Sequence, residues 1–115
     1  MANIQEVSSF IRDFNAKVKV FGLIFRNGRE KNVKALVDLE ISPIKRRETV
    51  MSICPTDYVE GPLDDKLNKI NKMWVFGKTV KGHDVYIKVS MGYENSSAIC
   101  ISFHIAEHPL RYKFK

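Results

Sequence analysis

The chain of 115 residues is 44% apolar and 28% charged, values that are typical of one globular domain and argue against disorder. The formal net charge is +6, and the whole excess lies in residues 66–115, which hold nine basic and three acidic side chains. Residues 1–65 hold ten of each. A positive excess concentrated in one half of a chain favours a polyanionic partner such as nucleic acid.

No segment of the sequence predicts export or membrane insertion. No apolar run approaches the roughly 18 residues that span a bilayer, and the start, MANIQEVSSF, lacks a basic stretch followed by an apolar run. Cys54 and Cys100 each lie among apolar neighbours, where a buried free thiol is the usual state. We therefore expect a cytoplasmic protein that has no membrane contact.

The first part of the chain has the periodicity of helices. Residues 4–18 have apolar side chains at spacings of three and four, which predict an amphipathic helix. The apolar run in VKVFGLIFRNGRE predicts a strand or an irregular link that ends at the turn signal Asn27-Gly28. Helical spacing returns in residues 31–41, where the predicted inner face consists of Val33, Leu36, Val37 and Leu39.

A third helix and a long loop complete this part. Ser42 is suited to cap a helix whose first residue is Pro43, and Pro55 ends it. The predicted inner face of this helix consists of Ile44, Val50, Met51 and Cys54. The stretch VEGPLDDKLNKINK has Gly, Pro and mixed charge with little apolar content, which predicts a loop.

The second part of the chain predicts antiparallel strands. The segments MWVFGKTV, VYIKVSM and AICISFHI are rich in strand formers, and Lys81-Gly82 predicts a tight turn. The expected fold class is α+β, with N-terminal helices packed on one face of an antiparallel β-meander of at least three strands. We expect a single domain, 1–115, with a helical part (about 1–56), a loop (about 57–72), a sheet (about 73–106) and a basic tail (107–115).

Alternation along the last two strands assigns their side chains to two faces. The predicted apolar sets are Val85, Ile87, Val89 and Met91 in one strand and Ile99, Ile101, Phe103 and Ile105 in the other. Pairing that aligns these sets leaves the polar residues on the opposite face; they are Tyr86, Lys88, Ser102 and His104. One allowed register sets Tyr86 directly across from His104, and a two-residue turn sets Gly77 across from Tyr86.

This polar face is suited to metal-independent cleavage of RNA. Attack of a ribose 2′-hydroxyl on the adjacent phosphorus needs a base, positive charge or donors for the phosphoryl oxygens, and an acid for the leaving 5′-oxygen. His104 is the candidate acid or base. Lys88 and Lys78 supply charge, and Tyr86 donates a hydrogen bond or stacks on a base. We expect neither a metal nor another cofactor, since no Cys or carboxylate lies at a zinc-like spacing.

Two simpler interpretations stay open. Tyr, Lys, Ser and His are all common on the solvated face of a two-layer domain. The basic half also fits a non-catalytic module that binds nucleic acid or an acidic protein, with Tyr86 and Trp74 supplying contact area.

The order of elements and several local motifs resemble the MqsR (motility quorum-sensing regulator) family of toxins from bacterial type II toxin–antitoxin pairs. Residues 39–58, LEISPIKRRETVMSICPTDY, are similar to a helix of that family and the D-F/Y element that follows it. Trp74 and the stretches VYIKV and ICISFH are similar to its sheet. The likeness covers most of residues 31–104, through motifs that are each short.

The resemblance implies a RelE-like ribonuclease fold and the activity of a toxin endoribonuclease (mRNA interferase) that cleaves mRNA without a metal. It also implies a cognate antitoxin with a DNA-binding domain, so that operator DNA is contacted only through the antitoxin. A degenerate toxin that binds its antitoxin but no longer cuts RNA is a further alternative.

The resemblance carries over to individual positions with some departures. Tyr86 matches the strand tyrosine of the family, and His104 stands where a lysine is usual, a change that keeps a proton donor for the leaving oxygen. Glu60 stands at about the position of a family lysine and is a candidate base, and Val75 replaces a glutamine.

The tail AEHPLRYKFK extends past the usual end of the family, so that Arg111 and Lys113 are candidates for the RNA surface. The predicted catalytic residues are therefore His104, Tyr86, Lys88 and Glu60. The predicted RNA-binding residues are Lys78, Arg111, Lys113 and Trp74.

Overall fold

The computed structural model describes residues 1–26, 30–65 and 71–115. The predicted turn at Asn27-Gly28 and part of the predicted loop, residues 66–70, lie outside them. Within the described residues the chain has an α+β fold with three α-helices and one five-stranded sheet. No helix in this part of the chain is long and apolar enough to cross a membrane.

The first helix forms where the periodicity predicts it. Helix α1 spans Ile4–Phe21, and the side chain of Asn3 caps it by accepting a hydrogen bond from the Glu6 amide at 2.9 Å. It ends at Gly22, whose φ of 89° favours glycine. The buried face contains four of the predicted residues, Val7, Phe10, Phe14 and Val18.

Helix α2 spans Glu30–Asp38, but the predicted inner face is wrong for two of its four residues. Val33 and Val37 are 47% and 74% exposed, whereas Asn32 and Ala35 are buried together with Leu39. The reason is the Asn32 amide, which bonds backbone groups of the last strand and so turns a polar residue toward the core. Hydrophobic spacing cannot detect an inward polar residue of this kind.

Helix α3 spans Pro43–Met51, and the Ser42 hydroxyl accepts from the Lys45 amide at 3.1 Å, as a cap should. Its predicted inner face is only partly right. Val50 is buried, but Ile44 is 71% exposed and Cys54 lies on the surface after the helix has ended. The buried Arg46 takes the inward position, with its guanidinium 3.8 Å from the centre of the Phe25 ring.

The sheet is mixed, which corrects the expectation of a purely antiparallel meander. Its strands, in the order β1-β5-β4-β3-β2 across the sheet, are β1 (Leu23–Phe25), β2 (Tyr58–Leu63), β3 (Met73–Val80), β4 (His83–Ser90) and β5 (Ala98–Ile105). Strand β1 pairs parallel to β5, and the other neighbours are antiparallel. Strand β2 lies inside the predicted loop of residues 57–72. Pro62 favoured a loop there, but β2 is an edge strand, and edge strands tolerate proline.

The register of β4 and β5 contains one irregularity. Lys88 pairs with Ser102, but the next residue, Val89, pairs with Cys100, so that Ile101 is an extra residue. The predicted apolar set of β5 is therefore wrong at Ile101 and Ile99. These two side chains form a separate cluster with Met73, while Phe103 and Cys100 belong to the main core.

The two faces of the sheet have different neighbours. The helix face carries Trp74, Phe76 and the apolar residues of β4, which form the main core with residues of all three helices. The opposite face carries Tyr86, Lys88, Ser102 and His104, as alternation predicts, and is called the Tyr86 face below. Residues 106–115, the tail, cross this second face.

Candidate functional site

A stacked pair of rings lies at the centre of the Tyr86 face. Tyr86 and His104 are Cα partners on the adjacent strands β4 and β5, as one of the predicted registers requires. Their ring centroids are 5.2 Å apart and their planes differ by 12°. Both side chains are half-buried. The pairing holds a proton-exchanging group and a phenol at one place on a rigid sheet.

The imidazole of His104 is oriented by the main chain. Its Nδ1 lies 3.0 Å from the carbonyl oxygen of Ile105. A carbonyl oxygen can only accept, so Nδ1 carries the hydrogen and donates it. Nε2 is then the ring atom that takes up or releases a proton, which is the property a general acid or base needs.

A second row of residues runs across the sheet beside the stacked pair. In the register, Glu60 pairs with Val75, Val75 with Lys88, and Lys88 with Ser102. The ammonium of Lys88 lies 5.9 Å from the centre of the Tyr86 ring. Glu60 is two strands from Lys88, which places their Cα atoms roughly 10 Å apart. Lys88 therefore adjoins the stacked pair, and Glu60 lies at the rim.

These residues line one cavity of about 460 Å³ on the Tyr86 face. Its floor includes Tyr86, Lys88, Ser102 and His104, and Glu60 lies on its β2 side. The tail forms a wall through residues 107–111 and Lys113. The structure thus brings together all four predicted catalytic residues and two of the predicted RNA-binding residues, Arg111 and Lys113.

The lining of the cavity carries more positive than negative charge. It includes the cations Lys31, Lys88, Arg111 and Lys113 and the carboxylates of Glu60 and Glu107. Glu107 forms an ion pair with Lys31. The hydrogen bond from Lys31 and its charge, with smaller contributions from His104 and His108, hold the pKa of Glu107 below its ordinary value. Glu107 is therefore ionised at neutral pH and offsets the Lys31 charge.

Two of the predicted RNA-binding residues, Lys78 and Trp74, lie on the helix face and not on the Tyr86 face. Lys78 pairs with Val85, so its side chain is on the helix face, where its ammonium lies 2.8 Å from Asp57 Oδ2. Trp74 lies on the same face and stacks on Phe10, with ring centroids 4.6 Å apart. Neither residue lines the cavity. This placement could have been predicted from the sequence. If Gly77 lies across from Tyr86, then Trp74 and Lys78, each an odd number of positions from Gly77, lie on the opposite face of the sheet.

Sequence reasoning missed several residues of the cavity. Lys31 comes from α2, and the contact between this helix and the segment after β5 is long-range, so that no local pattern indicates it. Glu107, His108 and Leu110 belong to the tail, whose path across the sheet depends on the contacts of single residues. A charged or apolar residue in a short irregular segment has no periodicity from which its direction can be read.

Comparisons with protein-family models, with curated proteins and with solved structures give no match to this chain.

Proposed function

We propose that the protein is a toxin endoribonuclease that cleaves mRNA by attack of a ribose 2′-hydroxyl on the neighbouring phosphate. The observation that carries the proposal is the cavity on the Tyr86 face, where the stacked Tyr86–His104 pair lies beside Lys88 and beneath a cationic wall. A proton-exchanging ring, a phenol and several cations within one cavity are the groups that this reaction uses.

The reaction assigns a task to each group. The oxygen of the 2′-hydroxyl forms a bond to phosphorus, the bond from phosphorus to the 5′-oxygen breaks, and the products are a 2′,3′-cyclic phosphate and a 5′-hydroxyl. His104 exchanges the proton through Nε2. Lys88 and Arg111 stabilise the charge that develops on the phosphoryl oxygens, and Tyr86 donates a hydrogen bond or stacks on a base. Glu60, at the rim, is the second proton-exchanging group.

The resemblance to the MqsR family supports the biological part of the proposal. The matching stretches, LEISPIKRRETVMSICPTDY, VYIKV and ICISFH, suit a RelE-like toxin that acts on mRNA in the cytoplasm. In that role the chain binds a cognate antitoxin with a DNA-binding domain, and it reaches operator DNA only through this partner.

The proposal is tested by incubating the purified protein with single-stranded RNA of mixed sequence in the presence of a chelator. We expect products that end in a 2′,3′-cyclic phosphate and begin with a 5′-hydroxyl. The matched control is the same RNA with 2′-O-methyl ribose, which lacks the nucleophile and should stay intact. In cells, expression of the chain alone should arrest growth and shorten mRNA half-lives.

Four outcomes contradict the proposal at different points. Cleavage of the 2′-O-methyl RNA, or loss of activity with the chelator, contradicts the mechanism. Tight RNA binding without cleavage, in the test tube and in cells, favours the non-catalytic module. Antitoxin binding with unchanged mRNA half-lives favours a degenerate toxin.

A further inference from the structure

The tail docks on the Tyr86 face through a defined path. The Ala106 amide donates to the carbonyl oxygen of Asp84 at 2.8 Å, and the Lys113 amide donates to that of Tyr58 at 3.2 Å. Between these two points Leu110 and Tyr112 lie against Gly77 of β3. The tail therefore starts at β5, passes over the middle of the sheet and reaches β2.

Gly77 is the position that accommodates the tail. A Cβ atom at this residue would lie 2.4 Å from the hydroxyl oxygen of Tyr112 and 2.6 Å from Cδ1 of Leu110, well inside van der Waals contact. Its φ is not positive, unlike that of Gly22, Gly61, Gly82 and Gly92, so the backbone does not require glycine here. What the missing side chain provides is room for the tail.

The far end of the tail is held by contacts of Phe114 and Lys115. The Phe114 ring stacks on Tyr58 with a centroid distance of 5.4 Å. The ammonium of Lys115 lies 3.9 Å from Asp57 Oδ1 and 4.0 Å from the centre of the Tyr112 ring. These contacts are few and partly exposed, so the tail is expected to open at a lower free energy than the sheet.

The docked tail supplies the wall of the candidate RNA site. Arg111 and Lys113 line the cavity from the segment that Leu110 and Tyr112 place against Gly77. On the basis of the proposed function, we propose that docking of the tail on Gly77 assembles the cationic wall of the RNA site and that RNA binding and tail docking are coupled. A ligand that contacts only the docked form stabilises that form by linkage.

The coupling is tested with the full chain and two variants that undock the tail from opposite sides. Gly77→Val places a branched side chain under Leu110 and Tyr112, and Phe114→Ala removes the ring contact with Tyr58. The probe is single-stranded 2′-O-methyl RNA, which binds without being cleaved. Thr79→Ala, an exposed position on the same strand and face, is the matched control.

We expect each undocking variant to weaken RNA binding by about tenfold or more and to reduce the log–log salt slope by about 1.4, the value for two lost phosphate contacts on a single strand. The double variant should bind no more weakly than either single one, because both release the same segment. Trypsin should cut after Arg111 and Lys113 faster in the variants, and added RNA should slow this cleavage in the unaltered chain.

The outcomes separate this inference from the proposed function. If the unaltered chain binds no RNA, both the proposed function and the coupling are contradicted. If it binds RNA but the salt slope of both variants is unchanged, the coupling alone is overturned. The same holds if the double variant loses as much binding free energy as the two single variants together. Slower trypsin cleavage with RNA together with a non-additive loss of affinity supports it.

Discussion

The ring of His104 lies parallel to that of Tyr86, 5.2 Å away and across one strand pair. Offset stacks of this kind contribute about 0.5–1.5 kcal/mol beyond the area they bury. The contact therefore serves both the stability of the sheet and the position of the imidazole, and the two effects can be separated by substitution.

Replacement of His104 by Ala should lower RNA cleavage by about 100-fold or more, the usual contribution of a positioned acid or base. The strand pairing of the main chain does not need the ring, so we expect the variant to fold. Cleavage rate and melting temperature are measured on the same preparation. His83→Ala, an exposed histidine on β4 that does not line the cavity, is the control and should cleave normally. Full activity of His104→Ala would show that the chemistry is assigned to the wrong residue.

Two substitutions at Tyr86 distinguish its hydroxyl from its ring. Tyr86→Phe keeps the stack on His104 and removes only the hydroxyl, so cleavage loses what the hydroxyl contributes. Tyr86→Ala also loses the stack, and its free energy of unfolding should lie below that of Tyr86→Phe by about 0.5–1.5 kcal/mol from the stack alone. Urea unfolding and cleavage rates give both quantities. Equal cleavage by the unaltered chain and both variants would remove Tyr86 from the mechanism.

The salt dependence of RNA binding should depend on which face a lysine occupies. Lys88→Ala or Arg111→Ala should each make the log–log slope shallower by about 0.7, the value for one phosphate contact on a single strand. Lys78→Ala is the control, because this side chain lies on the helix face beside Asp57, and it should leave the slope unchanged. A shallower slope for Lys78→Ala alone would place the RNA on the other face.

The carboxylate of Asp57 should make stability depend on acid pH. Burial alone would raise its pKa, but hydrogen bonds from Lys78 and Cys54, with the Lys78 charge, hold the pKa below its ordinary value of 3.8. Because the folded pKa is depressed, the stabilisation is present above 3.8 and is lost as the pH falls through the folded pKa. Asp57→Asn should lose this pH dependence and about 1–3 kcal/mol at neutral pH.

Urea unfolding over a pH series measures this effect. Asp13→Asn is the matched control, because Asp13 forms an exposed ion pair with Arg12, whose contribution should be below about 1 kcal/mol. A stability of Asp57→Asn equal to that of the unaltered chain at neutral pH would contradict the prediction.

Replacement of Asn32 by Ala should destabilise the fold more than its small volume suggests. The amide donates to the carbonyl oxygens of Ile101 and Arg26 at 2.8 and 2.7 Å, and its oxygen accepts from the Phe103 amide at 3.1 Å. Loss of these bonds at a buried site should cost about 2–4 kcal/mol in the free energy of unfolding. Asn71→Ala removes one bond at an exposed position and should cost much less. Equal losses would contradict this role of Asn32.

Local patterns in the sequence determined the three helices, strands β3 to β5 and the composition of the Tyr86 face. The spacing of Val7, Phe10, Phe14 and Val18 set the buried face of α1, since a helix repeats every 3.6 residues. Alternation in β4 and β5 placed Tyr86 and His104 together, because a slip of one residue would expose a whole apolar set. These features depend on near neighbours in the chain, and so they can be read before folding is known.

Contacts between distant segments decided the rest. The extra residue at Ile101 turns Ile99 away from the main core, and the Asn32 amide from α2 bonds the backbone on either side of Ser102. The tail packs where Gly77 leaves room for it, and this packing turns the Tyr86 face into a walled cavity. Such arrangements follow from the shapes and hydrogen-bonding groups of residues many positions apart, for which periodicity has no signal.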